Sequence, residues 1–354
     1  GNLSFLDMKE IGITLLLLMG YGAVEGQRAP DNVMIYSGES DSYQPCEPSI
    51  AISPANSDII VAGSVLDNVH RSTDGGWTWT TETLTSRYGV YGDPCVVGSP
   101  TGDFYYLHLS NPDGQAWSSE ALLDRIVVQR GKGKGKRWNK GAGMGFNGEK
   151  DQDKEWAAVS VDGKSLVSCW TQFDKYESRQ ATDSSTILCS TSNRRAKKWS
   201  EPVRINQIAG DCRDSDLTVE GAVPDIALDG TIYVAWAHAD TIWMDRSLDG
   251  GKTWLDKDLR VAQIQGGWDT DVRGFNRSNG MPVTKVDRSD GPNSGRIYVN
   301  WTDNRNGLDD QDVWLVYSDD MGLSWTDPIR VNDDPPGAQQ FFTWMDVDDI
   351  TGFV

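Results

Sequence analysis

Histidine, positive charge and long apolar runs are scarce in this sequence, and each scarcity excludes a class of protein. The 354 residues include only 3 histidines, without metal-ligand spacing, which argues against a zinc centre. A net charge of −19 argues against nucleic acid or an anionic membrane as a partner. No apolar run is long enough to span a bilayer, and no helical periodicity appears after residue 30. We therefore expect a β protein with no metal, no cofactor and no membrane span.

Cysteine is also sparse, which fits a secreted protein that does not depend on a disulfide framework. Cys169 and Cys189 fall on consecutive predicted strands and could pair. Cys46 and Cys95 lie at the starts of neighbouring strands and form a second possible pair, which would leave Cys212 free. Isolated buried thiols explain both pairs equally well.

The beginning of the chain resembles a secretory leader. The charged start Met8-Lys9-Glu10 is followed by a short apolar run, residues 11–19, and by small residues up to Gly26. We expect residues 1–26 to be a signal peptide with an upstream extension, and residues 27–354 to be one secreted or cell-surface domain. A weak membrane anchor is the alternative interpretation of the apolar run.

An eight-residue phrase, Ser-x-Asp-x-Gly-x-Thr/Ser-Trp, occurs three times in the chain. Its Asp can accept turn N–H groups, its Gly can take positive φ, and its Trp can fold back over a hairpin. Each copy therefore predicts a self-closing β-turn. The defining residues are Ser72, Asp74, Gly76 and Trp79, then Ser247, Asp249, Gly251 and Trp254, then Ser318, Asp320, Gly322 and Trp325. Two eroded copies end at Trp138 and Trp199.

These turns recur at intervals of about sixty residues, and a second repeat precedes each of them. It is an inner strand, as in Pro48–Ser53 and Pro224–Asp229, followed by a strand rich in β-branched and aromatic residues. Four antiparallel strands per period predict a propeller blade. The sequence predicts five full blades and the opening strand of a sixth, residues 343–348, with the last blade incomplete at Val354.

The turn resembles the Asp-box, or bacterial neuraminidase repeat, and residues 31–354 resemble a sialidase-type β-propeller. The resemblance implies an all-β fold, six-bladed with the last blade truncated, and structural rather than chemical roles for the Asp-box residues. It also implies a glycoside hydrolase. The family's Arg-Ile-Pro phrase is missing, because the corresponding place reads Cys46-Glu47-Pro48. No Tyr in this chain matches the family's nucleophile.

Carboxylates at the starts of successive inner strands are the candidate catalytic groups. Glu47 precedes Pro48, Asp93 precedes Pro94, and Glu155 lies near the start of the third inner strand. Carboxylates that share one channel raise a pKa among themselves, and paired carboxylates are the groups that a glycosidase uses. The alternative interpretation is that Glu47 and Asp93 cap backbone N–H groups between blades.

Candidate substrate-binding residues lie in the long connections on the same face. Arg213, Arg273 and Arg305 could hold an anionic sugar, and Trp268 could stack on a sugar ring. A salt bridge to a neighbouring Asp is the alternative for each arginine.

Three functions remain open from the sequence. The first is an exported sialidase-like glycoside hydrolase acting on an extracellular glycan or glycoprotein. The second is a non-catalytic propeller that binds glycans or proteins, and the third is a polysaccharide lyase, which would need a Tyr/His pair over the channel. The sequence does not determine the sugar, the linkage or the oligomeric state.

Overall fold

The computed structural model describes residues 32–38, 45–193, 195–275 and 277–354, and these form an all-β protein. The predicted leader lies outside the described residues. Residues 32–38 have no regular secondary structure. The described helical structure is a single 3-10 turn, Ala116–Ser118, and the described residues contain no helix that could cross a membrane.

The strands form consecutive antiparallel sheets in chain order. The first sheet comprises β1 (Ser49–Ile52), β2 (Ile60–Ser64), β3 (Asn68–Ser72) and β4 (Thr80–Thr83). The second comprises β5 (Cys95–Gly98), β6 (Phe104–Leu109), β7 (Ile126–Lys132), β8 (Arg137–Trp138) and β9 (Ala142–Met144). The third comprises β10 (Asp151–Val159), β11 (Leu166–Phe173), β12 (Ser185–Ser192) and β13 (Val203–Arg204).

The remaining sheets repeat the same meander. The fourth comprises β14 (Glu220–Ile226), β15 (Ile232–His238), β16 (Thr241–Ser247) and β17 (Leu259–Gln263). A small ribbon of β18 (Asp269–Thr270) and β19 (Ser278–Asn279) follows. The last sheet comprises β20 (Val283–Val286), β21 (Ile297–Asp303), β22 (Asp312–Ser318) and β23 (Ile329–Arg330).

The first strands of the large sheets are the inner strands, because each contacts the next: β1 with β5, β5 with β10, β10 with β14, and β14 with β20. The second strands β2, β6, β11 and β21 are buried along their whole length, as their β-branched and aromatic composition predicts. This arrangement of four-stranded antiparallel sheets confirms the predicted β-propeller architecture. The number of blades stays a prediction.

The Ser-x-Asp phrases close the hairpins between third and fourth strands, as predicted. In the second copy Asp249 Oδ1 accepts hydrogen bonds from the N–H groups of Lys252 and Thr253, at 3.0 and 2.9 Å, and Oδ2 accepts one from the Thr253 hydroxyl at 2.7 Å. Ser247 Oγ accepts the N–H of Gly251 at 2.8 Å. The eroded copy before Trp138 also closes a hairpin, between β7 and β8.

Three further expectations from the sequence concern individual cysteine pairs and one strand. Cys169 and Cys189, which are opposite each other on β11 and β12, form a disulfide. Cys46 and Cys95 are free thiols, so the second predicted pair is wrong. Residues 343–348, predicted as an inner strand, have no assigned strand, although Met345 and Val347 pack in one apolar cluster with Val223 and Val283 of the inner strands.

Candidate active site

One backbone position recurs at the start of four successive inner strands. It lies five residues before the last paired residue of β1, β5, β10 and β14, and it is occupied by Glu47, Asp93, Lys154 and Gly221. All four residues have left-handed φ, at 49°, 47°, 55° and 72°. Left-handed φ is uncommon for residues other than glycine, and it is often found at functional sites. The shared conformation brings three charged side chains to one end of the inner strands, which makes this end the candidate site.

In β10, the third inner strand, the residue at this position is one away from the residue that the sequence predicts. β10 carries an irregularity in its pairing with β11 between Asp153 and Trp156, so Lys154 and not Glu155 occupies the position of Glu47 and Asp93. The side chain of Glu155 is only 1 % exposed, and neither carboxyl oxygen has a hydrogen-bond partner among the described residues. Burial raises the pKa of Glu155 well above its usual value. Glu155 is thus buried, whereas Asp153 on the same strand is partly exposed.

Glu47, Asp93 and Lys154 form the first half of the site. Glu47 and Asp93 interact electrostatically, and Lys154 Nζ lies 3.6 Å from Asp93 Oδ2. Glu47 is open to solvent, and the charge of Asp93 raises its pKa to about 7. The charge of Asp93 also raises the pKa of Lys154. Asp93 therefore lies between a proton donor and a cation.

Asp153 interacts electrostatically with both halves of the site. Burial and the negative charge of Asp93 raise its pKa to about 8, so Asp153 is largely protonated at neutral pH. Asp214 and Lys154 also act on it electrostatically, in opposite directions.

The second half of the site contains an ionised carboxylate with three neighbours. Arg277 donates two hydrogen bonds to Asp214, each of 2.8 Å, and the Tyr176 hydroxyl donates a third of 2.6 Å. Burial opposes ionisation of Asp214, but these hydrogen bonds outweigh it and lower its pKa. The neighbouring Glu220 side chain is 2 % exposed, and burial together with the charge of Asp214 raises its pKa well above the usual value.

We name these groups together the acidic strip, which comprises Glu47, Asp93, Asp153, Lys154, Tyr176, Asp214, Glu220 and Arg277. The strip presents protonated and ionised carboxyl groups side by side at neutral pH, which is the condition for general acid catalysis beside a carboxylate. The described residues contain no group of three His, Cys, Asp or Glu side chains arranged to hold a metal ion.

The predicted substrate-binding residues have different surroundings. Trp268 is fully buried in the core, so the prediction that it stacks on a sugar is wrong in this conformation. The Arg305 side chain donates three hydrogen bonds of 2.6–3.2 Å to buried Asp303, and its guanidinium lies 4.2 Å from the centre of the Trp314 ring. Arg305 therefore forms the salt bridge to a neighbouring Asp that was the alternative to sugar binding. Arg273 is exposed.

Arg213 remains at a ligand-accessible place. It lines an open cavity of about 450 Å³ together with Glu177 and Arg179. In the chain, Glu177 follows Tyr176 and Arg213 precedes Asp214. Arg213 itself lies 3.9 Å from Asp211 in a loose ion pair.

Sequence reasoning singled out the polar connections that carry Asp153, Lys154 and Asp214 but did not assign these residues to the site. It missed Tyr176, Glu220 and Arg277 altogether. A signal existed for Glu220, because it and Asp153 occupy equivalent positions immediately before the left-handed residue of β14 and β10. Arg277 reaches Asp214 across 63 residues of sequence, and no local pattern indicates that contact.

No family model and no curated protein matches this sequence. Solved structures do resemble it. A Dyadobacter fermentans protein of unknown function is 15% identical with a TM-score of 0.51, over 81% of this chain and 83% of that one. The GH93 α-L-arabinofuranosidase of Fusarium graminearum in complex with arabinobiose is 14% identical with a TM-score of 0.53, over 83% and 82%. A sialidase of Trypanosoma rangeli is 16% identical with a TM-score of 0.48, over 78% and 47%. At these identities the likeness to the first two structures shows the fold alone.

Proposed function

We propose that this protein is a glycoside hydrolase that acts on an extracellular glycan at the acidic strip. The observation that carries the proposal is the division of the strip into protonated and ionised carboxyl groups that act on one another electrostatically. Asp153 has its pKa raised to about 8, while Asp214 has its pKa lowered. Glycosidases use such a pair, one group to protonate the leaving oxygen and the other as nucleophile or base.

Asp153 and Asp93 are the members of the strip best placed for these roles. Asp153 is protonated at neutral pH and partly exposed, so it can donate a proton to the glycosidic oxygen. Asp93 forms an ion pair with Lys154 at 3.6 Å and has no other cationic partner among the described residues, which leaves its carboxylate available as nucleophile or base. Asp214 is engaged by Arg277 and Tyr176, so it serves as a fixed negative charge that keeps Asp153 protonated.

The strip favours carboxylate chemistry over the tyrosine chemistry of sialidases. Tyr176 is the tyrosine of the strip, and burial together with the charges of Asp153 and Asp214 raises its pKa. A tyrosine nucleophile needs the opposite shift. Structural neighbours include an arabinofuranosidase bound to arabinobiose, which makes an arabinose-containing glycan the first substrate to test. Export is part of the proposal, and the Cys169–Cys189 disulfide supports it because disulfides persist in oxidising compartments.

The test is hydrolysis of matched glycosides by the wild-type protein and by Asp153→Asn and Asp93→Asn. The panel contains arabinobiose, a 4-nitrophenyl α-L-arabinofuranoside, sialyllactose and an aryl sialoside. We expect both variants to lose about 10²–10⁴-fold in turnover of the substrate that is cleaved. Asp153→Asn should lose less on the aryl glycoside than on the natural disaccharide, because an acidic leaving group needs little protonation.

Asp229→Asn is the matched control, since Asp229 is an exposed carboxylate in the turn at the other end of β14. It should leave turnover unchanged. Glycan binding by the wild-type protein without turnover of any substrate would contradict the hydrolase assignment and favour the binding module. Equal losses on aryl and natural glycosides would contradict the acid role of Asp153.

A further inference from the structure

An exposed tryptophan stands beside the acidic strip. Trp117 lies in the 3-10 turn Ala116–Ser118, within the connection between β6 and β7, and 65 % of its surface is exposed. β5 begins at the strip and β6 runs antiparallel to it, so this connection lies at the same end of the sheet as Asp93.

Local bonds hold the turn in place. Ala116 has a left-handed φ of 48°, and its N–H donates a 3.0 Å hydrogen bond to Asn111 Oδ1. Leu122 and Leu123 further along the connection are buried in the core. The strained, anchored backbone presents Trp117 in one orientation instead of leaving it on a loose loop.

Two aromatic residues bracket Trp117, one within the strip and one next to it in the chain. The Trp117 ring stacks on that of Tyr176, with 5.7 Å between centroids and 29° between planes. The Tyr91 ring is nearly perpendicular to it, at 6.1 Å and 83°. The Tyr176 hydroxyl donates to Asp214, and Tyr91 precedes Asp93 by two residues. Trp117 therefore contacts the second half of the strip through Tyr176 and lies beside the segment that carries Asp93.

We propose that Trp117 is the platform of a second sugar subsite, which binds the ring next to the one at the acidic strip. This inference rests on the proposed function, and it adds that the ligand is an oligosaccharide and not a single sugar. One face of the indole packs on Tyr176, and the large exposed fraction leaves the other face for the C–H face of a sugar ring. Aromatic platforms beside a few fixed polar groups are typical of sites for small polar ligands. A lone exposed Trp needs no function, but this one stacks on Tyr176 of the strip.

The test compares binding of short and long ligands by calorimetry. The probes are a methyl glycoside and the corresponding pentasaccharide, in an arabinose series and a galactose series. Trp117→Ala should weaken binding of the pentasaccharide about tenfold and leave the methyl glycoside unchanged, with Trp117→Phe between the two. Trp77→Ala is the control, because Trp77 is 72 % exposed in the first Ser-x-Asp turn at the opposite end of its sheet.

The outcomes separate this inference from the hydrolase proposal. Selective loss of pentasaccharide binding without turnover by the wild-type protein would contradict hydrolysis and leave the subsite intact. Equal loss on short and long ligands would show that Trp117 only supports the bond between Tyr176 and Asp214, and would overturn the subsite. Unchanged pentasaccharide binding in Trp117→Ala, or no binding of either series by the wild-type protein, would also overturn it.

Discussion

Glu220→Gln should change the pH dependence of stability in a way that reports directly on the second half of the acidic strip. Glu220 is 2 % exposed, and burial together with the charge of Asp214 raises its pKa well above the usual value. Glutamine matches a protonated glutamate in size and can donate to Asp214 through its amide. At pH 4 to 5 the two proteins should therefore unfold with free energies that agree within about 1 kcal/mol.

The difference grows as the pH rises. Between the pKa of an unfolded glutamate, about 4.3, and the raised pKa of Glu220, the folded state keeps a proton that the unfolded state releases. The free energy of unfolding of the wild-type protein falls in that window by about 1.4 kcal/mol per pH unit relative to the variant, because glutamine does not titrate. The advantage of the variant over the wild-type protein should therefore grow from pH 5 to pH 7.

Urea unfolding at pH 5, 6 and 7 and constant ionic strength measures this difference. Glu82→Gln serves as the control, because Glu82 is exposed on β4, and its difference from wild type should stay constant with pH. Parallel pH profiles for Glu220→Gln and the wild-type protein would refute the reasoning, since they would mean that Glu220 is ionised in the folded protein.

Two further predictions concern the turns and the pH profile of activity. Asp249→Ala should lower the Tm by about 2–4 °C, because four N–H and O–H donors lose their acceptor, with no change in glycan binding. Asp256→Ala, at another exposed position of the same connection, is the control; weaker glycan binding at an unchanged Tm in Asp249→Ala would contradict the structural role. Turnover should fall above about pH 8, as Asp153 loses the proton that it donates. A decline at high pH that persists with the same midpoint in Asp153→Asn would assign that limb to another group.

The sequence predicts the architecture well because the fold is specified by local patterns. Turn chemistry is a property of eight consecutive residues, so the hairpins at Asp74, Asp249 and Asp320 follow from the phrase alone. Runs of β-branched and aromatic residues identify the buried second strands in the same way. The places of Cys169 and Cys189 on consecutive strands made their pairing one of two equal alternatives, and the structure shows the disulfide.

The site is less predictable because its contacts are not local. Glu47 and Asp93 were identifiable from the prolines that follow them, and the structure brings their side chains together. Glu155 was one residue out of register, because the pairing irregularity of β10 cannot be read from composition. Trp268 and Arg305 were chosen by residue type, which does not distinguish a buried ring or a paired guanidinium from a free one.

The two ends of the four-stranded sheets are specified in different ways. The Ser-x-Asp turns at one end can be predicted from the sequence, whereas the candidate site at the other end is visible only in the structure. At the turn end one phrase is repeated, so its residues record the fold. At the other end the backbone conformation is repeated but the residue is not, since the left-handed position holds Glu47, Asp93, Lys154 and Gly221 in turn. The fold fixes where these side chains meet, and their identities set the chemistry. Replacing the cation at this position, as in Lys154→Met, would leave Asp93 without its ion pair while keeping every turn intact. An activity on this propeller therefore depends on a few single positions that the repeat does not encode.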